Sequence, residues 1–157
     1  MLITSKSNEI VKNAIKLNDK KFRDKTGKFL VESEKVINEA IKSGYEVQMI
    51  FCEANSNFNF DKTIKIIEVP TNILKLLSSS VTAPKCVAVV SKKEKESVEI
   101  KSNFLVLDRV QDPSNVGAII RSALGANFNN VLLIDCADVY DGKVIRSSMG
   151  AIFNVNI

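Results

Sequence analysis

The chain has 157 residues, 45% hydrophobic and 25% charged, with a formal net charge of +4. That length holds one medium domain or two small ones, and the balance is that of a globular protein, which excludes wholesale disorder and collagen-like or coiled-coil rods. Histidine is absent, which excludes Ser-His-Asp triads, Cys-His nucleophiles and His-ligated metal sites.

Ser7 and Asn8 are N-cap residue types. Ile10, Val11, Ala14, Ile15 and Leu17 follow at helical spacing, so an amphipathic helix is predicted over about 8–18. A basic segment, Lys20 to Lys28, reads as a loop. Phe29-Leu30-Val31 is a short β-prone run. A second helix starts at Ser33, buries Val36, Ile37, Ala40 and Ile41, and closes at Gly44. Val47–Cys52 and Ile64–Val69 read as strands, with a polar, turn-rich stretch from Asn55 to Asp61 between them. Thr71 is placed as the cap of a short helix ending at Leu77, and Cys86–Val90 as a fifth apolar strand. This alternation predicts a three-layer α/β unit. It ends at Ser91–Ser97, a charged stretch without large apolar residues, which makes it the linker candidate.

A second unit opens with the strand Phe104–Leu107. A loop containing Pro113 follows, then a helix to about Ala126 capped by Ser114 or Asn115. Val131–Ile134 reads as a strand and Gly142–Met149 as a helix. Ala151–Ile157 reads as the start of a third strand.

Residues 1–44 carry ten Lys/Arg against six Asp/Glu, and residues 45–157 carry twelve of each. The whole positive surplus is therefore N-terminal, densest around Lys20, Lys21, Arg23, Lys25 and Lys28. Such a cluster, with Phe22 inside it, suits a phosphate backbone; a solvated lysine-rich loop is the competing reading. The three cysteines, Cys52, Cys86 and Cys136, form no CxxC and read as buried thiols. No metal site is expected. No apolar run approaches the ~18–20 residues that span a bilayer, and the first residues lack the apolar core of a signal peptide. No membrane association and a cytoplasmic location are expected.

Strand, loop, then a helix opening near Asn115 and Gly117 is the geometry of a ligand site at the carboxyl end of an α/β sheet. Helix-start amides favour an anion there. Gly117 permits close approach of a ligand or another backbone. Arg121 follows Asn115 by six residues. Asp108 and Asp112 could pair for acid–base work but read better as turn-shaping residues.

The longer string from Leu105 through Asp108-Arg109-Val110-Gln111-Asp112-Pro113-Ser114-Asn115-Val116-Gly117 to Arg121-Ser122-Ala123 closely resembles the first motif of the SpoU (TrmH-like) RNA 2′-O-ribose methyltransferases of the SPOUT superfamily. Lys143-Val144-Ile145-Arg146-Ser147-Ser148-Met149-Gly150-Ala151-Ile152-Phe153 resembles that family's K-V-V-R-x-S-M-G-x-x-F stretch. Ser5–Asn8 and Lys21–Glu32 are similar to its substrate-binding domain. The resemblance implies an L30e-like RNA-binding domain over 1–91, a linker over 92–101, and the first part of a Rossmann-like SPOUT (α/β knot) methyltransferase domain over 102–157. It implies S-adenosylmethionine (SAM) as cofactor, rRNA or tRNA as partner, and a homodimer.

Asn115 and Arg121 match the family's catalytic asparagine and arginine. The resemblance favours RNA contact for Lys20, Lys21, Arg23, Lys25 and Lys28. Arg146 and Ser148 are further candidates, for RNA, for a dimer partner or for capping their own helix. Arginine stays protonated at ordinary pH, with a pKa above ~12, so Arg121 is read as a charge-assisted donor to the 2′-oxygen or a neighbouring phosphate, fixed by Asn115 or its loop.

The sequence departs from the family in three places. Ser33 stands where relatives commonly have glycine, and Asn156 where they often have proline. The G-x-E-x-x-G and S-L-N-V-S motifs, which build most of the SAM pocket, would lie beyond Ile157. The segment 102–157 is therefore expected to be a truncated methyltransferase domain, this chain an inactive form that binds SAM weakly or not at all, and its cofactor-binding residues are unassigned. Two other readings remain: a non-catalytic RNA-binding module using the first domain alone, and an α/β nucleotide-binding domain unrelated to RNA.

Overall fold

A computed structural model describes residues 1–93 and 103–157. The chain divides into two compact units, Met1–Lys92 and Lys93–Ile157. From residue 94 onward, the linker expected over 92–101 lies outside the described residues.

The first unit begins with α1 (Glu9–Lys16), where Asn8 Oδ1 accepts from the Ile10 amide at 2.9 Å. This satisfies a donor that the helix start would otherwise leave open. Then come α2 (Lys20–Thr26), β1 (Lys28–Glu32), α3 (Glu34–Lys42), β2 (Val47–Glu53), β3 (Lys65–Val69), α4 (Thr71–Leu77) and β4 (Cys86–Ser91). The strands form one sheet in the order β1-β4-β2-β3. β4 runs antiparallel to both neighbours, and β2 and β3 are parallel.

Side chains alternate across this sheet. Leu30 lies opposite Val89, and Phe51 opposite Val87 and Ile67. These residues share a core with Val11, Ala14 and Leu17 at α1 and with Ile73, Leu74 and Leu77 of α4. The intervening Phe29, Val31, Ile50, Ala88 and Val90 are equally buried, and α3 packs against β1 and β4. Both faces are covered, which is the three-layer α/β arrangement.

Two expectations need correction in this unit, and one backbone feature stands out. The basic stretch is a helix, not a loop: Asp19 Oδ1 accepts from the Phe22 amide at 3.1 Å, and Gly27 ends the helix with φ 65°. Those are ordinary start and stop signals, masked in the sequence by dense charge. Thr71 is the first residue of α4 rather than its cap, and its hydroxyl donates to Glu53 Oε1 at 2.6 Å. Ser33 precedes α3 with φ 71° and ψ 141° and makes no side-chain cap. That backbone region costs an L-residue roughly 1–3 kcal/mol. Ser33→Gly is therefore expected to stabilise the unit by about 1 kcal/mol, after the entropic cost of glycine, with an upward shift in urea midpoint as the readout.

Cys52 lies opposite Cys86 across β2 and β4, and both are buried free thiols. Burial pushes the Cys86 thiol up to about 12 and also raises Cys52. Cys136, expected to be buried, is only half-buried.

The second unit consists of β5 (Phe104–Asp108), α5 (Pro113–Gly125), β6 (Asn130–Ile134), α6 (Gly142–Ser148) and a 3-10 turn, Ala151–Asn154. β5 and β6 are parallel, with Val106 opposite Leu132 and Asp108 opposite Ile134. Leu107 and Val131 share a core with Val116, Ile120 and Ala123 of α5 and with Val144 of α6. Val106, Leu132 and Ile134 alternate onto the other face and stay about half exposed. The third strand expected from Ala151 does not form there. Gly150 turns the chain at φ 89° into the 3-10 turn, and only Asn156 bridges to Asn130. There the Val131 amide donates to Asn156 O, and the Asn156 amide to Asn129 O, both at 2.8 Å.

Candidate functional site

The parallel pairing brings the carboxyl ends of β5 and β6 side by side, where ligands of α/β sheets sit. Arg109 leaves β5 at φ 56° and Asp135 leaves β6 at φ 49°. The two loops are laced together. The Arg109 amide donates to Ile134 O at 2.8 Å and the Ala137 amide to Val110 O at 3.0 Å. The Cys136 thiol donates to Leu107 O at 3.3 Å and accepts from the Val110 amide at 3.3 Å. Gln111 Nε2 donates to Asp135 O at 2.5 Å. These contacts set where α5 begins.

Asp112 caps α5, its Oδ1 accepting from the Ser114 amide at 2.7 Å, with Pro113 at the first helical turn. The cap expected at Ser114 or Asn115 is therefore two or three residues earlier, because proline has no amide to satisfy. Asp108 forms a two-pronged ion pair with Arg109, at 3.1 and 3.0 Å. Both aspartates thus have turn-shaping partners.

Asn115 and Arg121 lie on α5 and are both exposed. Six residues separate them by ~9 Å along the axis and roughly 120° around it. Among the described residues neither side chain makes a hydrogen bond or ion pair, so Asn115 does not hold Arg121 directly. Between them, Gly117 is buried. A Cβ there would overlap Ser147 Oγ and would meet Val144 O at 2.5 Å and the Ser148 nitrogen at 2.9 Å. The close approach that this glycine permits is therefore the backbone of α6.

α6 carries the other two candidates. Ser148 is fully buried, and its hydroxyl donates to Ile145 O at 2.9 Å. It cannot contact RNA from there, which corrects that expectation; the hydroxyl bonds back within its own helix. Arg146 is half-buried and has partners within the fold.

The basic candidates of the first unit divide in the same way. Arg23 is 3% exposed. Its Nη1 donates to Leu17 O and Asn18 O, both at 2.9 Å, closing the carbonyl end of α1. It is a buried structural cation, not an RNA contact, because it lies inside the fold with Nη1 on those two carbonyls. Lys20 is exposed and paired with Asp24 at 2.6 Å, and Lys92 approaches the same carboxylate at 2.8 Å. Hydrogen bonds from Lys20 and Lys92 hold the Asp24 carboxyl at about 2. Lys21 and Lys25 are exposed one helical turn apart, and Lys28 is half-buried. None of these three has a hydrogen-bond or ion-pair partner among the described residues.

Sequence reasoning missed a cavity of about 400 Å3 in the first unit, lined by Glu34, Glu53, Asn55, Asn57, Phe58 and Lys85 among others. Its signal in the sequence was a pair of phenylalanines, Phe58 and Phe60, inside an asparagine-rich turn. Among the described residues, no acidic or cysteine cluster suits a metal ion, and no helix is long and apolar enough to cross a membrane.

Residues 8–88 match the MRM3-like substrate binding domain, and residues 102–157 match the SpoU rRNA Methylase family. The chain is 32% identical over 158 residues to the Bacillus subtilis (strain 168) 23S rRNA (guanosine(2553)-2'-O)-methyltransferase RlmP, covering 99% of this chain and 63% of that protein. It is 32% identical over 150 residues to rRNA methyltransferase 3, mitochondrial, of Homo sapiens, covering 87% of this chain and 36% of that protein. The chain thus spans less than two thirds of these curated relatives. A crystal structure of an RNA 2'-O ribose methyltransferase superposes with a TM-score of 0.85 at 27% identity, over 99% of this chain and 64% of that one. The SpoU methyltransferase AviRb from Streptomyces viridochromogenes, in complex with the cofactor AdoMet, superposes with a TM-score of 0.81 at 26% identity, over 94% and 61%.

Proposed function

Because the chain belongs to the SpoU rRNA methylase family, we propose that the protein methylates a ribose 2′-hydroxyl of ribosomal RNA. The observation that carries this reading is that Asn115 and Arg121 both face solvent on α5, without partners among the described residues, on the helix that starts from the joined strand ends. Methyl transfer to a ribose oxygen needs that oxygen held in line with the methyl donor. It also needs the charge developing on the oxygen to be stabilised. A guanidinium offers five donors in a fixed fork and stays charged. Arg121 accordingly binds the 2′-oxygen or the adjoining phosphate as a charge-assisted donor, and Asn115 orients the same sugar by its amide.

Structures of relatives with bound AdoMet imply that the family uses SAM. The polar groups described at the ends of β5 and β6 are engaged with one another. They offer no open cradle for that cofactor, so no step is assigned to residues holding it. Lys21, Lys25 and Lys28 supply the phosphate-binding charge on the first unit, and the proposal includes a homodimer.

The test maps 2′-O-methyl groups in total RNA from cells with and without the gene. Loss of a methyl group at a ribosomal position is expected. An unchanged map refutes the proposal.

A further inference from the structure

The cavity on the first unit lies where three elements meet: the end of β2 at Glu53, the start of α3 at Glu34, and Lys85 just before β4. The Glu53 amide donates to Lys85 O at 3.1 Å, which fixes the rear of the cavity. The Asn59 amide donates to Glu34 Oε1 at 3.3 Å, which ties the 54–60 loop over it. Glu53 Oε1 is taken by the Thr71 hydroxyl.

Each carboxylate therefore keeps one oxygen, Oε2, without a partner among the described residues. The Asn55 and Asn57 amides and the Lys85 ammonium are likewise without partners there. Phe58 lines the same cavity and stands 5.5 Å from Phe60, ring centre to ring centre, in a tilted pair.

Two carboxylates against one lysine leave the cavity with excess negative charge, which repels a phosphate. What it presents instead is the edge chemistry of a base: acceptors at the glutamates, a cationic donor at Lys85 and amides of both kinds, with Phe58 in its lining. Unpaired RNA bases are read by this combination of stacking and hydrogen bonding at their edges. Of the four bases, guanine alone puts two adjacent N–H donors, N1 and N2, on one edge. Its other edge carries the O6 and N7 acceptors that lysine and asparagine amides suit.

We propose that this cavity takes an unpaired guanine of the RNA substrate, with Phe58 stacking on the ring, a glutamate accepting from N1–H and N2–H, and Lys85 donating to O6. The inference rests on the RNA reading above and assigns the first unit a specificity contact separate from the residues on α5.

The experiment measures fluorescence anisotropy of the chain with short oligouridines carrying one central guanosine, inosine or uridine. The guanosine oligomer is expected to bind about tenfold tighter than the uridine one, the size of one well-stacked, edge-read base. Inosine, which lacks the N2 amine, is expected to lose most of that gain. Phe58→Ala should remove the guanosine preference while leaving oligouridine affinity and its salt slope unchanged. By contrast, Lys21→Ala with Lys25→Ala should flatten the salt slope and keep the preference. Melting curves check that the variants are folded. Equal binding of the three oligomers overturns the inference and leaves the methylation reading standing. No binding to any of them overturns the inference too, and the RNA methylation map then decides the function independently.

Discussion

Substituting alanine for Gly117 is expected to destabilise the second unit by about 3 kcal/mol, the upper range for overpacking a close contact. The added methyl would overlap Ser147 Oγ, and two of its three nearest neighbours are main-chain atoms of α6. A side chain could swing away, but a helix backbone cannot, so α5 and α6 must part. Their contact carries Val116, Ile120 and Val144 into the core, and a small unit has few other apolar groups to offset its loss. Urea unfolding followed through amide resonances of the second unit measures the effect. Gly125→Ala is the control: nothing lies within 4 Å of the point where its methyl would sit, and the substitution should gain about 0.5–1 kcal/mol from helix propensity. Equal stability of the Gly117 variant and the wild type would show that the two helices do not meet as described.

Arg121→Ala is expected to lower methyl transfer by the protein about a hundred- to a thousandfold, the usual cost of removing one preorganised donor to a developing oxyanion. The side chain is exposed and has no hydrogen-bond or ion-pair partner among the described residues, so stability should change by no more than about 0.5 kcal/mol. Arg121→Lys should fall between the two, because an ammonium keeps the charge but loses the planar fork. Single-turnover rates with saturating RNA separate this loss from weakened binding. A variant that turns over at the wild-type rate would remove Arg121 from the chemistry.

What could be read from residues alone followed the strength of the periodic signal. Val11, Ala14 and Leu17 repeat at helical spacing, and Val87 to Val90 form a β-branched run interrupted only by alanine; both patterns report burial directly. In α2, four cations in seven residues conceal a helix whose evidence is two flanking residues, Asp19 and Gly27. Ala151–Phe153 has a strand-like composition, but a left-handed Gly150 redirects the chain.

The candidate site was legible to the extent that it is local. Asn115 and Arg121 face solvent as their spacing on one helix permits. Arg23 and Ser148 were misjudged because counting charge and hydroxyl groups cannot reveal which backbone carbonyls they satisfy. The Glu34–Glu53–Lys85 cavity was invisible for a different reason: its walls come from three segments that only the completed sheet brings together.

The position of β4 has a consequence for biosynthesis. It is the last described strand of the first unit to leave the ribosome, yet it sits between β1 and β2 and is the only strand that pairs with β1 among the described residues. Until Val90 has emerged, the nascent Phe29–Val31 segment has no edge to zip onto, and its apolar side chains wait for a chaperone or for the rest of the polypeptide.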